Sequence, residues 1–164
     1  MSEISLLIQM RHNLWANLQV LDACLGLSSA QLAAATQGGY GSIQATLAHW
    51  IRAERYYAWM LAGQPDGFID LTLDDLSVAE LRRLAQDSGL LLCDLAARDE
   101  NRPITIQFDE VAEEWPVSSA HLFTQVILHA TEHRTNATTI LAQLGWPPFD
   151  LSIWSFLMST TSQA

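Results

Sequence analysis

The chain has 164 residues, 49% of them apolar and 16% charged, which suits one folded core and argues against disorder. Acidic residues number 18 against eight basic ones, all arginine, for a formal charge of −10. Such a surface repels phosphate backbones and anionic headgroups, so neither nucleic acid nor membrane is an expected partner.

A first long helix is predicted from about Glu3 to Leu25, with Leu7, Met10, Leu14, Leu18, Leu21 and Leu25 at helical spacing. A short helical turn over Ser28 to Ala35 follows, and then a loop at Gln37-Gly38-Gly39-Tyr40-Gly41. The second long helix runs from Ser42 to about Leu61 and is stopped by Gly63-Gln64-Pro65-Asp66-Gly67. Its polar face is narrow (Gln44, Ala48, Arg52, Arg55), as expected of a helix contacted on several sides.

Ser77-Val78-Ala79-Glu80 fits a capping box and opens a third helix reaching about Arg98. Ile104, Ile106 and Phe108 alternate with Thr105 and Gln107 as in a strand, and Glu110 to Pro116 is its expected hairpin partner. The fourth helix spans about Ser119 to Leu144, ended by Gly145 and Pro147-Pro148. The tail from Asp150 to Met158 is expected to pack back as a short helix. The fold class is therefore all-α: a four-helix bundle with a short β-hairpin between helices three and four, expected as a single domain over residues 1–164.

Cys24 and Cys93 are far apart and form no CxxC pattern, so a reducing, cytoplasmic setting is expected and both read as small core residues. No basic segment precedes an apolar run at the N-terminus, so no signal peptide is expected. The uncharged stretch from Ala23 to Ile51 is too rich in Gly, Ser, Gln and Thr for a membrane span.

The strongest chemical signal is His129-Ala130-Thr131-Glu132-His133. Two imidazoles four apart share a helix face and can chelate one ion. The apolar stripe of that helix reads Leu122, Val126, His129, His133, Ala137, Ile140, Leu144, so both histidines stand where apolar residues are expected. Unpartnered imidazoles there would cost free energy, which a metal would relieve. His49, at the flank of the apolar side of the second helix, is the best third ligand. The bland alternative is three hydrogen-bonded structural histidines. His12 and His121 read as surface or capping residues. Of the nearby acids, Glu132 points away from both neighbouring histidines, by about 100° from His133, toward solvent or a place behind the ligands, and Glu54 reads as an ordinary helix-face residue. Trp50, Tyr56, Tyr57 and Trp59 are candidate pocket residues, with bundle core and dimer interface as the plainer role.

Three stretches carry a family resemblance. They are His12-Asn13-Leu14-Trp15-Ala16-Asn17, Gly41-Ser42-Ile43-Gln44-Ala45-Thr46-Leu47-Ala48-His49 continuing to Ala53-Glu54, and His129-Ala130-Thr131-Glu132-His133-Arg134 running to Gly145. In content, order and spacing the chain resembles the DinB-like superfamily, also called DinB/YfiT-like metalloenzymes. The resemblance implies up-down-down-up connectivity and one divalent metal ion held by His49, His129 and His133. Imidazoles suit zinc, nickel, copper and iron, with zinc or nickel the expected occupant. It also implies homodimerisation and, by way of relatives, a metal-dependent S-transferase that takes a low-molecular-weight thiol and a small-molecule substrate. A metal-dependent hydrolase and a non-catalytic metal-binding or stress-response module remain the alternatives. Where many members continue with Arg-Gly-Gln, this chain has Arg134-Thr135-Asn136, which puts the role of that Gln in doubt.

Overall fold

The computed structural model describes residues 3–65, 68, 73–107 and 114–161. Six helices and two strands are present among them: α1 (Glu3–Cys24), α2 (Ser29–Leu32), α3 (Ile43–Leu61), α4 (Val78–Ala97), β1 (Pro103–Gln107), β2 (Glu114–Ser118), α5 (Ser119–Gln143) and α6 (Ile153–Thr161).

The sequence sets the helix ends locally. Ser28, Ser42 and Ser77 each accept from a backbone N–H of the following turn, and at Ser28 and Ser77 the third residue, Gln31 or Glu80, reaches back to complete a capping box. At the start of α5, His121 takes that part: its Nδ1 accepts from the Ser118 backbone N–H at 3.0 Å, so His121 is the capping residue expected. Gly145, at φ +91°, supplies the left-handed residue that ends α5.

Side-chain pairings fix the bundle's connectivity. Asp22 pairs with Arg82 and Leu14 packs on Gly89, so α1 and α4 run antiparallel. Gln44 bonds the Leu76 carbonyl at the start of α4 and Glu54 bonds Ser88 further along, so α3 and α4 run parallel. His49 meets His129, while Tyr57 meets Gln125, so α3 and α5 run antiparallel. The order is up-down-down-up. The consecutive long helices α1 and α3 stand diagonally across the ring α1–α4–α3–α5, and α2 and its loop carry the chain from one to the other.

Gly89 lets α1 and α4 close. A Cβ there would lie 2.5 Å from Leu14 Cδ1 and 3.2 Å from Leu14 Cβ. Gly89→Ala gains about 1 kcal/mol of helix propensity but incurs about 1–3 kcal/mol of overpacking. A net loss of about 1 kcal/mol is expected in urea unfolding; a stabilised variant would show the helices to be further apart.

The hairpin pairs Ile104 with Val117 and Ile106 with Trp115. Ile104 and Ile106 are buried and Thr105 is exposed, as the alternation requires. Phe108, residues 109–113, and Asp66 and Gly67 of the expected helix stop lie outside the described residues. α6 packs on α1 through Trp15 and Phe156, 5.7 Å between ring centroids.

Four expectations need correction. His12 is a docking residue: its Nε2 bonds the Leu151 carbonyl at 2.7 Å and its ring contacts Trp15 and Phe156. Ala48, expected on a polar face, is buried because α3 has neighbours on more sides than one. Leu144 is exposed, since α5 ends before it. Glu54 is not a helix-face residue but is 2% exposed, among the most buried side chains of the chain.

Candidate metal centre

α3 and α5 bring His49, His129 and His133 to one point. His129 Nε2 lies 3.2 Å from His49 Nε2 and 3.2 Å from His133 Nε2. One ligand atom from each ring falls within 4.8 Å of those of the other two, so the group could hold a metal ion. Nitrogens about 2.0–2.1 Å from a tetrahedral ion are separated by roughly 3.3–3.4 Å, so the donor set fits. Hydrogen bonding alone fits less well: three ε nitrogens at one point cannot each find a complementary partner. The buried His133 Nδ1 has no hydrogen-bond partner among the described residues.

Electrostatics keep these rings neutral at pH 7. Burial, with His133 and His49 adding to it, pushes His129 down to about 4. Burial lowers His49, helped by Arg52 and opposed by Glu132. Burial and His49 lower His133, again against Glu132. Neutral imidazoles offer the lone pairs a cation needs. Glu132 is exposed, as its position on the helix implied.

Two tyrosines wall the trio. Tyr40 stacks on His49, with centroids 4.2 Å apart and planes 28° off parallel, and meets His133 edge-on at 5.0 Å. Tyr57 meets His129 edge-on at 5.9 Å. Of the four aromatics singled out in the sequence, Trp50 is fully buried core, and Tyr56 stacks on Trp59 with Phe68 against both. Only Tyr57 reaches the histidines among the described contacts.

Tyr40 was missed because a loop reading gives no direction to a side chain. Its placement comes from anchors on both sides. Ala35 and Ser42 form a bridge, Gln143 Nε2 donates to Thr36 Oγ1 at 3.0 Å, and Gly38 takes φ +77°. Gly39 comes so close to Thr36 and to Asn136 Oδ1 that a Cβ would crowd both. Asn136, the departure from the family pattern, therefore seats the Tyr40 loop while its amide donates to the Glu132 carbonyl at 3.1 Å.

Beside the trio lies a second polar assembly that the sequence reading did not find. Glu54 Oε2 accepts from Asn17 Nδ2 at 2.7 Å and Asn13 Nδ2 at 3.2 Å, and Oε1 accepts from Ser88 Oγ at 2.8 Å. The same two asparagines accept from Arg134 Nη1, Asn13 Oδ1 at 2.7 Å, while Arg134 Nη2 donates to Thr131 Oγ1 at 2.9 Å. Burial raises the Glu54 carboxyl above its ordinary range, against hydrogen bonds from Ser88, Asn17 and Asn13 and the Arg134 charge. Burial pushes Arg134 down to about 10, so it remains cationic at neutral pH.

Fold and site together define a helical-bundle protein with a three-histidine group able to hold a metal ion. The sequence matches the DinB family over residues 1–163, and the chain belongs to the DinB family. No curated protein matches it. No helix among the described residues is long and apolar enough to cross a membrane.

Proposed function

We propose that the chain binds one divalent metal ion, zinc or nickel, through Nε2 of His49, His129 and His133. We further propose that the loaded site is a thiol-dependent S-transferase acting on a small-molecule substrate. The observation that carries this reading is the convergence of three neutral ε nitrogens, two pairs of them 3.2 Å apart, where α3 faces α5. A divalent ion held there supplies the Lewis acidity that keeps a thiol ionised at neutral pH.

The chain's own groups account for the rest. Tyr40 and Tyr57 lie against the histidine rings, and Arg52, one turn beyond His49, adds positive charge near the site. The attacking sulfur must come from outside. Cys24 and Cys93 are buried, with thiols pushed up by burial to about 12 and about 11, and are not nucleophiles at neutral pH. The hydrolase alternative requires a general base at the site, and Glu54 is committed to Ser88, Asn13 and Asn17. The cytoplasm is the compartment we propose, since both thiols stay reduced there.

The test is the visible spectrum of cobalt-substituted protein titrated with small thiols such as cysteine and 2-mercaptoethanol. A new sulfur-to-metal charge-transfer band is expected. A spectrum that no thiol changes overturns the transferase reading and leaves only a metal-binding bundle.

A further inference from the structure

The buried polar assembly of Asn13, Asn17, Glu54, Ser88 and Arg134 draws one side chain or more from each of the four long helices. Its bonds form a closed circuit. Each asparagine gives its amide N–H to Glu54 and its carbonyl to Arg134, so carboxylate and guanidinium are bridged twice by groups of complementary polarity. Glu54, Arg134, Asn13 and Asn17 are all 5% exposed or less. A buried charge without partners is costly, so every helix contributing to the circuit is held at the rotation that completes it.

The spacing along the chain ties that rotation to the histidines. Glu54 lies five residues after His49 on α3, and Arg134 lies five after His129 and one after His133 on α5. Five residues turn a helix by about 140°. With Glu54 turned inward to α1 and α4, His49 comes round to the flank facing α5. With Arg134 turned to α1, His129 comes round by the same angle to the flank facing α3. The hydrophobic stripes alone leave helices free to roll by part of a residue spacing, which would part ε nitrogens that now stand 3.2 Å apart.

We infer that the Asn13–Asn17–Glu54–Arg134 circuit is the positioning device of the histidine trio: it sets the roll of α3 and α5 so that the three ε nitrogens converge before any ion arrives. Arg134 and Glu54 touch no reacting group and are positioning residues. The metal half of the test rests on the proposed site; the other half does not.

Arg134→Met keeps the apolar stem and removes the donors, whereas Arg134→Lys restores a cation with three donors. In metal-free protein, nuclear Overhauser effects between the His49 and His129 Hε1 protons report convergence directly. They are expected in wild type and Arg134→Lys and lost in Arg134→Met. Zinc affinity by chelator competition is expected to fall roughly 10–100-fold in Arg134→Met and to recover in Arg134→Lys, as for groups that orient metal ligands. Ile106→Ala, in the core on β1, an element that contributes no residue to the circuit, separates general loss of stability from loss of position: it should lower the melting temperature with ring contacts and affinity intact. If Arg134→Met does not fold, Asn13→Ala takes its place: it opens the circuit at one of its two bridges, so the ring contacts are again expected to be lost, while Asn17 keeps Glu54 and Arg134 partnered and the bundle folded. Ring contacts retained in a folded Arg134→Met or Asn13→Ala protein overturn the inference, whatever the metal result. Wild-type protein that takes up no zinc but shows the ring contacts sinks the metal reading instead.

Discussion

His129→Ala is expected to abolish stoichiometric metal binding while leaving the bundle folded. Among the three ligand candidates His129 is the common neighbour, its Nε2 standing 3.2 Å from both other ε nitrogens. Its loss leaves His49 and His133 as a two-nitrogen site, short of the three protein ligands usual for an ion that keeps an open position. The drop in affinity should exceed the roughly 10–100-fold typical of residues that only orient a ligand. The ring is half-buried and its neutral form makes no hydrogen bond outside the trio among the described residues, so the metal-free fold loses little. Elemental analysis of tag-free protein checks this, with about one equivalent expected in wild type and none in the variant. Equal metal in both would move the binding site elsewhere; none in either, after incubation with zinc or nickel, would leave a bundle with three ordinary histidines.

Glu54→Ala is expected to produce the largest stability loss. The substitution strands the Asn13 and Asn17 amides and the Ser88 hydroxyl without an acceptor and leaves Arg134 cationic and unbalanced in the interior. Removing one member of a buried pair costs about 3–5 kcal/mol. At roughly 2–4 °C per kcal/mol for a chain of this size, the melting temperature should fall by about 10–15 °C. The sign of the pH dependence follows from burial, which raises the Glu54 carboxyl. The folded state then binds a proton more readily than the unfolded state. The contribution of this group therefore declines as pH rises through its folded pKa, and is fully present below the unfolded value of about 4.3. The gap between wild type and Glu54→Ala should widen from pH 7 toward pH 5 in urea unfolding. A gap below about 1 kcal/mol at pH 7 would show that the carboxyl is not a true partner of the asparagines.

The helices were legible because their caps are local. Ser42, Ser77 and Gly145 fix ends within one residue of where the periodicity places them. His129 and His133 were legible because polar residues interrupt an apolar stripe, and His49 because it stands at the flank of the apolar side of its own helix, with the family motif in support. The same interruption was present elsewhere and passed unnoticed. Glu54 stands in line with Leu47, Trp50, Ile51, Ala58 and Leu61, all buried, and Asn13 and Asn17 in line with Met10, Val20, Leu21 and Cys24. What hid them is that no one helix contains the partner: a carboxylate on α3 makes physical sense inside the core only beside the amides of α1 and the guanidinium of α5. Tyr40 was hidden for a different reason, since its aim is set by the contact of Gly39 with Thr36 and Asn136 rather than by any periodicity.

The pairing of α1 with α5 bears on the order of assembly. Asn13 and its Arg134 partner are 121 residues apart, so the circuit joins nearly the two ends of the chain. Closing so long a loop is entropically unfavourable until other contacts have shortened it. As the chain leaves the ribosome, α1, α3 and α4 can gather around Glu54 with only half of each asparagine satisfied. The last long helix supplies Arg134, His129 and His133 together. Completion of the interior and convergence of the three histidines are thus one event, and a nascent chain has no finished histidine trio to trap a stray ion.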